Sequence, residues 1–319
     1  MFKVSGNKYV VTGGSGFIGS HICEELLSQG KEVVSIDNYV YGTRHNIEPF
    51  LDNHRFTAIN ADISKAEDLK GRFDGADGVF NLAASKCTYC RVDPALDMRV
   101  NGLGALNVAT EAVMAKVKKV VHVSTGSVYG LNPDYNDLSV FQEDGVSFAP
   151  VSYYGVSKLA GERYFEAIRQ YYGLRHTIAR YYHVYGPRQK GGSRGGVIPI
   201  FIQKILAGEP IHIFGDGKQI RAFTYVKDTV HHTLRLMEDE ATDFEAYNIA
   251  SNERVTISYL AYKLMELMKK EVPVIHEGAR QGDIHDIEVS NEKIGPYDWK
   301  SFEEGIASTI AHYREVQNA

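Results

Sequence analysis

Cysteine is scarce in this chain: three residues, Cys23, Cys87 and Cys90, among 319. They are too few and too local to staple a chain of this length. That excludes a disulfide-built secreted scaffold and sets the expectation of a reducing, cytoplasmic compartment. Long apolar runs are missing as well. No stretch approaches the ~18 residues of a membrane span, and the Met1 end has no basic-then-apolar leader pattern, so no membrane partner is expected. Positive charge is in deficit, with 35 Lys+Arg against 40 Asp+Glu and a net charge of −5. Without a dense Lys/Arg block, nucleic acid is not an expected partner either. What is present, 44% hydrophobic and 24% charged residues with 30 Gly, is the make-up of a folded globular protein. The length allows two ordinary domains or one large one, burying roughly three quarters of the unfolded surface.

Over the first 180 residues, short β-rich runs alternate with helical patterns. Lys8–Thr12, Glu32–Ile36, Phe56–Asn60, Val79–Leu82, Val120–Ser124 and His176–Arg180 read as strands. Residues 17–29 place Ile18, Ile22 and Leu26 on one helical face, and helices are expected from about Pro94 to Ala115 and from about Ser152 to Tyr172. Strands that are apolar throughout and alternate with helices predict an α/β fold, a Rossmann-type doubly wound parallel sheet. After Tyr182 glycines crowd residues 183–225, leaving one expected helix at 198–207. Ala246–Ala250 reads as a returning strand, and Ile257, Leu260, Ala261, Leu264 and Met268 mark another amphipathic helix. The expected division is a nucleotide-binding domain, 1–182 with the returning segment 228–250, and a smaller C-terminal substrate-binding domain from 183–227 and 251–319.

Gly13-Gly14-Ser15-Gly16-Phe17-Ile18-Gly19 joins the first strand to the first helix. In that context Gly13 permits the tight turn, Gly16 lets backbone approach a pyrophosphate, and Gly19 allows close helix packing. The helix then offers N–H groups and a positive dipole end to phosphate. Asp37 closes the second strand 24 residues after Gly13. A carboxylate there accepts from a ribose 2′-OH and repels a 2′-phosphate, which favours NAD over NADP. Asp62 ends the third strand, as a contact to the adenine edge or as a plain turn residue. Tyr154 and Lys158 stand one helical turn apart on one face. A phenol of pKa near 10 needs roughly 4 kcal/mol of anion stabilisation to reach about 7. A close ammonium and a nicotinamide cation supply it, making Tyr154 a general base toward a carbinol O–H. Thr125, in Ser124-Thr125-Gly126-Ser127-Val128-Tyr129-Gly130, ends a strand at the carboxyl edge, where its hydroxyl can bond the same oxygen.

In this order and spacing the chain resembles the extended short-chain dehydrogenase/reductases, specifically the NAD-dependent nucleotide-sugar epimerase/dehydratase family, and within it the UDP-glucose 4-epimerases. The likeness runs nearly end to end, through VTGGSGFIGSH (11–21), NLAASK (81–86), NGLGALNV (101–108), STGSVYG (124–130), YYGVSKLAGE (153–162), VYGPRQ (184–189), IFGDGKQIRAFTYVKD (213–228) and ARQGD (279–283). It implies NAD as cofactor, a UDP-sugar as substrate, no metal, and a homodimer joined through helices near 94–115 and 152–172. By matching position it implies that Phe17, Ile18, Asn38, Ile63, Leu82, Ala83, Ala84, Lys86, Asn101 and Tyr181 join the cofactor site, with Lys86 and Lys158 on the nicotinamide-side ribose. Arg221 and Arg280 would hold the diphosphate, suiting the guanidinium fork, with Lys86, Cys87, His183, Arg188, Val197 and Asp283 completing the substrate contacts.

The two positions after Thr125 bear on the reaction. Family 4,6-dehydratases carry Asp-Glu there, as acid and base for water loss, and the glucuronate decarboxylases usually keep the Glu. This chain has Gly126 and Ser127. Transient oxidation and re-reduction at C4 needs only Thr125, Tyr154, Lys158 and NAD, so the expectation is an NAD-dependent nucleotide-sugar epimerase, acting on a UDP-hexose or UDP-N-acetylhexosamine at C4. Other readings stay open. His183 replaces a frequent Asn and either donates to a diphosphate or carboxylate or is plain polar packing. Ala222 replaces the usual Asp after the Arg. Cys87 and Cys90 line the pocket, act as acid/base at C3 or C5, form a redox pair, or are ordinary small buried residues; zinc would need a second cysteine pair that is absent. A glucuronate epimerase, a net oxidoreductase and a non-catalytic NAD-binding regulator remain alternatives, the last opposed by the retained Tyr154 and Lys158.

Overall fold

The apolar strand segments assemble as their composition requires, buried in the middle of the sheet and exposed at its Phe56–Asn60 edge. In the computed structural model, which describes residues 1–85, 93–130, 140–144, 148–192, 195–279 and 288–318, β1 (Lys8–Thr12), β2 (Glu32–Asp37), β3 (Phe56–Asn60), β4 (Gly78–Asn81) and β5 (Lys119–Thr125) share one sheet with His176–Tyr181 and Ala246–Ile249. Its order is Ala246–Ile249, His176–Tyr181, β5, β4, β1, β2, β3. The pairings from β3 through His176–Tyr181 are all parallel. Register places Val34, Val10, Val79 and Val120 side by side. On that row pack Ala105, Val108, Ala109 and Ala112 of the helix Gly104–Met114 and Phe165 and Ile168 of the helix Tyr153–Tyr172. The alanine stripe lets the helix sit close to the sheet, and the valines fill the pleat as β-branched residues do.

The carboxyl ends of these strands carry the turn at Gly13, Asp37, the segment 82–85 and Thr125, the edge where such sheets bind ligands. The segment expected as one helix from about Pro94 to Ala115 is in three parts: Pro94–Asp97, a π-helical stretch Met98–Leu103, and Gly104–Met114. Asp93 caps it, its Oδ1 accepting from Leu96 N at 2.9 Å, with Pro94 in the first turn. Asn101 lies inside the wide turn and is anchored on both sides, by Ser85 N and by Ser157 Oγ.

Among the described residues the chain groups into two compact units, one from 1–130, 143–181 and 230–248, the other from 140–142, 182–229 and 249–318. In the second unit, the expected loop-rich stretch contains short strands as well as the helix Val197–Ala207: Val184–Tyr185 pairs with Thr224–Tyr225, Ile211–Phe214 with Val274–Glu277, and Ile220–Ala222 with Arg254–Thr256. Tyr185, Phe223, Tyr225 and Phe302 form an aromatic cluster there, with ring centroids 5.6–6.2 Å apart. The helix Ile257–Met268 is capped by Thr256, whose Oγ1 accepts from Tyr259 N at 3.1 Å. A C-terminal helix, Phe302–Asn318, buries Ile306, Ile310 and Tyr313.

One buried ion pair stiffens the helix Tyr153–Tyr172 against the sheet. Glu162 Oε1 and Oε2 accept from Arg180 Nε at 3.0 Å and Nη2 at 2.7 Å, and Arg180 Nη1 donates to Tyr129 Oη at 2.8 Å. The Phe148 ring lies 4.7 Å from the guanidinium. Both charged side chains are nearly inaccessible. Glu162→Ala leaves Arg180 buried and unpaired and is expected to lower unfolding free energy by about 3–5 kcal/mol in a urea titration; an unchanged midpoint would contradict this packing.

Candidate active site

The turn after β1 is tight because each glycine meets backbone. Gly13 holds φ +69, and its N–H donates to Ile36 O at 2.7 Å; a Cβ there would lie 2.9 Å from Ala83 N. At Gly19 a Cβ would lie 2.1 Å from Gly13 O. Helix α1 (Phe17–Ser28) starts at Gly16 with no side-chain cap and no acidic residue in its first turn. The early N–H groups, including those of Phe17 and Ile18, therefore face a space that suits phosphate oxygens. Asp37 is buried and fixed, its Oδ2 accepting from Ser15 N at 3.0 Å and its Oδ1 from Tyr39 N at 2.8 Å. Asn38 donates to Asp62 Oδ2 at 3.3 Å. Burial alone would raise the Asp62 carboxyl, but hydrogen bonds from Ser64 and Asn38 hold it below the usual carboxylate range. Ile63 belongs to the core, while its carbonyl accepts from Asn107.

Leu82 N and Ala83 N donate to Thr12 O at 3.1 Å and Thr12 Oγ1 at 3.2 Å, and Ala84 is half-buried beside them. These contacts fit a bound dinucleotide: a glycine cradle that a Cβ would fill, an uncapped helix start, and a carboxylate at the end of β2. Two residues assigned to the cofactor by sequence have other partners. Asn101 bridges Ser85 and Ser157 from a buried position. The hydroxyl of Tyr181 is 2.6 Å from Thr233 Oγ1, and burial pushes that phenol up.

Thr125 ends β5, and Tyr154 and Lys158 lie on the helix Tyr153–Tyr172 that packs against it. That helix begins at Ser152, whose Oγ accepts from Gly155 N at 3.0 Å. Its first turn lies against Ser127, since a Cβ on Gly155 would be 2.5 Å from Ser127 O. Thr125 Oγ1 accepts from Ser127 N at 3.2 Å and lies 3.3 Å from Ser127 Oγ. Tyr154 is half-buried; Lys158 is 2% exposed, its Nζ donating to Val123 O at 2.5 Å. Burial pushes the Lys158 ammonium down to about 8, opposed by Glu162 and Asp97. His122, below it on β5, is driven well below the usual imidazole range by burial and by Lys158, so it is neutral. Asp97, Ser85 and the Glu162–Arg180 pair around Lys158 were not singled out from sequence, although Glu162 follows Lys158 by four residues and Asp97 precedes Asn101 by four.

In the second unit, His183 stands at φ +37 with its ring against Phe223 at 5.9 Å. The His183 side chain is exposed, and the crowding around it, then Arg221, push its pKa below the usual imidazole value, so it is neutral at pH 7. Arg221 lies on the strand Ile220–Ala222, its Nη1 donating to Ile220 O at 2.7 Å. Arg188 is half-buried at φ +67, and Val197 opens the helix Val197–Ala207 behind Gly196. Lys86, Cys87, Cys90, Arg280 and Asp283 lie outside the described residues. Among the described residues no cluster of His, Cys, Asp and Glu could hold a metal, and no helix is long and apolar enough to cross a membrane.

Comparison with known proteins agrees with this geometry. The profile of the NAD dependent epimerase/dehydratase family matches residues 9–250. The UDP-glucose 4-epimerase of Mycolicibacterium smegmatis is 32% identical over 314 residues, covering 96% of this chain and 98% of its own. The UDP-N-acetyl-alpha-D-glucosaminuronate decarboxylase of Bacillus cytotoxicus is also 32% identical, over 97% of this chain and 98% of its own. The crystal structure of the UDP-glucose 4-epimerase of Thermotoga maritima with UDP-glucose superposes with a TM-score of 0.89 at 32% identity, covering 97% of this chain and 99% of that one. The chain therefore belongs to the NAD-dependent epimerase/dehydratase family. The family's members are NAD-dependent nucleotide-sugar epimerases, dehydratases and decarboxylases with a Rossmann-like fold.

The Gly19 contact yields a direct check. Gly19→Ala is expected to weaken NAD binding about tenfold or more, ~1.4 kcal/mol, measured by isothermal titration calorimetry; unaltered affinity would contradict the phosphate-loop assignment.

Proposed function

We propose that this protein is a UDP-hexose or UDP-N-acetylhexosamine 4-epimerase. The observation that carries the reading is the pairing of Tyr154 and Lys158 with a Thr125 followed by Gly126 and Ser127. Dehydration needs an acid and a base beside the reacting carbon, and positions 126 and 127 carry no group able to serve as either near neutral pH.

In this reading the glycine turn and the start of α1 hold the pyrophosphate, Asp37 binds the adenine-side ribose hydroxyls, and Lys158 holds the other ribose. NAD, when bound, would supply the acceptor and donor for the hydride at C4 of the sugar. Tyr154 takes the C4 hydroxyl proton and later gives it back. Thr125 Oγ1 bonds the same oxygen and aims it at the phenol. Lys158, charged below about pH 8, lowers the phenol toward working pH. Arg221 and the neutral His183 donate to the diphosphate, so the sugar can turn over while its nucleotide stays held. By their match to the family pattern, Lys86, Arg188, Val197, Arg280 and Asp283 are further candidates for substrate contact.

The helices carrying Asn101 and Tyr154 also expose apolar side chains: Met98, Leu103, Met114, Tyr153, Val156 and Tyr164 are 39–74% accessible. A homodimer that covers this face accounts for them. Leu103→Glu with Val156→Glu is expected to give a monomer in sedimentation analysis, and an unchanged sedimentation coefficient contradicts the interface.

The function is tested by incubating the purified protein with UDP-glucose, UDP-N-acetylglucosamine and UDP-glucuronate without added NAD and separating the products. A C4 epimer from at least one is expected, and its formation is expected to disappear in Tyr154→Phe while NAD stays bound. No epimer from any of them would overturn the assignment, and a product inverted at C3 or C5 would move it to an epimerase that uses Cys87 or Cys90.

A further inference from the structure

The carboxyl group of Asp97 is buried in the first unit with little to compensate it. The residue is 0% exposed, and among the described residues neither carboxylate oxygen has a well-formed hydrogen bond, although the Ser85 hydroxyl faces it and eases its burial. Ser85 is itself buried, so this one hydroxyl does little to replace the water the carboxyl has lost. Leaving a carboxyl group in that state costs several kcal/mol, and native proteins keep such groups chiefly where they serve chemistry.

Its surroundings identify the chemistry. Asp97 closes the short helix Pro94–Asp97 and leads into the π-helical turn that carries Asn101. Such turns recur at functional sites. Asn101 ties that turn to Ser157, the residue before Lys158. Two carboxylates act on the Lys158 ammonium, Glu162 and Asp97. Both oxygens of Glu162 are already bonded to Arg180, so that pair is close to neutral as seen from Lys158. The other groups facing Lys158 offer no negative charge: His122 on β5 is neutral, and Val123 contributes only a carbonyl. Asp93 faces Asp97 rather than Lys158 and is paired with Arg99 at the surface.

We propose that Asp97 is a positioning residue whose buried carboxylate keeps the Lys158 ammonium charged beside the phenol of Tyr154. This rests on the role given to Tyr154 and Lys158 above. Asp97 itself touches neither substrate nor cofactor; it acts through Lys158. Its carboxyl is raised by burial, with the Ser85 hydroxyl and then Lys158 pulling the other way and Asp93 adding to the rise, while burial lowers the ammonium, so each charge favours the other. Removing the negative charge destabilises the ammonium, so Lys158 loses its proton at lower pH, and the alkaline limb of the pH–rate profile moves down with it.

The test is a pH titration of protein labelled with nitrogen-15 at the lysine side chains, followed by NMR, with Lys158→Arg assigning the resonance. Wild-type Lys158 is expected to titrate near pH 8, and in Asp97→Asn about half a pH unit or more lower, roughly 0.7 kcal/mol. An unmoved midpoint overturns the proposal, since a purely structural Asp97 would lower stability and leave the lysine alone. Asp97→Ser provides the same reading should the Asn variant fail to fold. The titration requires no turnover, so a wild-type protein inert toward every nucleotide sugar would sink the epimerase reading and leave this one standing. Where turnover is present, the alkaline limb of kcat/KM is expected to shift in step, and a limb that stays in place while the lysine moves overturns the link to Tyr154.

Discussion

Lys158 carries its charge where water hardly reaches, and the first unit is arranged so that it can. The side chain is 2% exposed and donates to the carbonyl of Val123, two residues before Thr125 at the end of β5. An ammonium in such a place is stable only with compensating partners. A backbone carbonyl, the acidic Asp97 and the Glu162–Arg180 pair surround it, and each is supplied by a different element of the sheet-and-helix sandwich. The helix start at Ser152, the packing of Gly155 on Ser127 and the anchoring of Asn101 fix where the ammonium sits relative to Tyr154.

From that constraint the division of labour within the unit follows. The β1–β2 end of the sheet provides the contacts that hold a dinucleotide: a turn too tight for side chains, a helix start without its own cap, and a carboxylate fixed by two backbone N–H groups. The β5 end provides acid–base groups. Both lie at the carboxyl edge because parallel strands all terminate there, and the crossover helices cover the faces and leave that edge open. Residues of the second unit differ in kind. His183 and Arg221 lie near one another, and the crowding around the imidazole, with Arg221, keeps it neutral, a donor and acceptor rather than a second cation.

The parts legible in the sequence were those set by local pattern. β1 and β3 stand at the bounds their apolar runs define, and the helix Tyr153–Tyr172 follows from its serine cap and spacing. The glycine turn, Asp37 and the Tyr154–Lys158 pair could be read because each sits at a fixed offset from a strand or helix end. The π-helical turn at Met98–Leu103 could not, since i→i+4 and i→i+5 turns have nearly the same apolar periodicity, and side-chain anchoring of Asn101 is a tertiary contact. The two-residue strands Val184–Tyr185 and Thr224–Tyr225 are too short to show any period. The last helix was open to reading from Ile306, Ile310 and Tyr313, which recur at helical spacing. Asp97 had no signature of its own: its meaning depends on burial beside a lysine 61 residues away, while the nearer Glu162 is neutralised by Arg180.

Whether the sugar is oxidised at C4 and reduced again at that same carbon can be followed by the fate of its hydrogen. UDP-glucose and UDP-N-acetylglucosamine carrying deuterium at C4 are to be equilibrated with the protein in ordinary water, and the separated epimers examined by mass spectrometry and NMR. The epimer is expected to keep its deuterium at C4. Loss of that label to solvent, or solvent hydrogen exchanged in at C3 or C5, would contradict hydride return to the carbon that gave it.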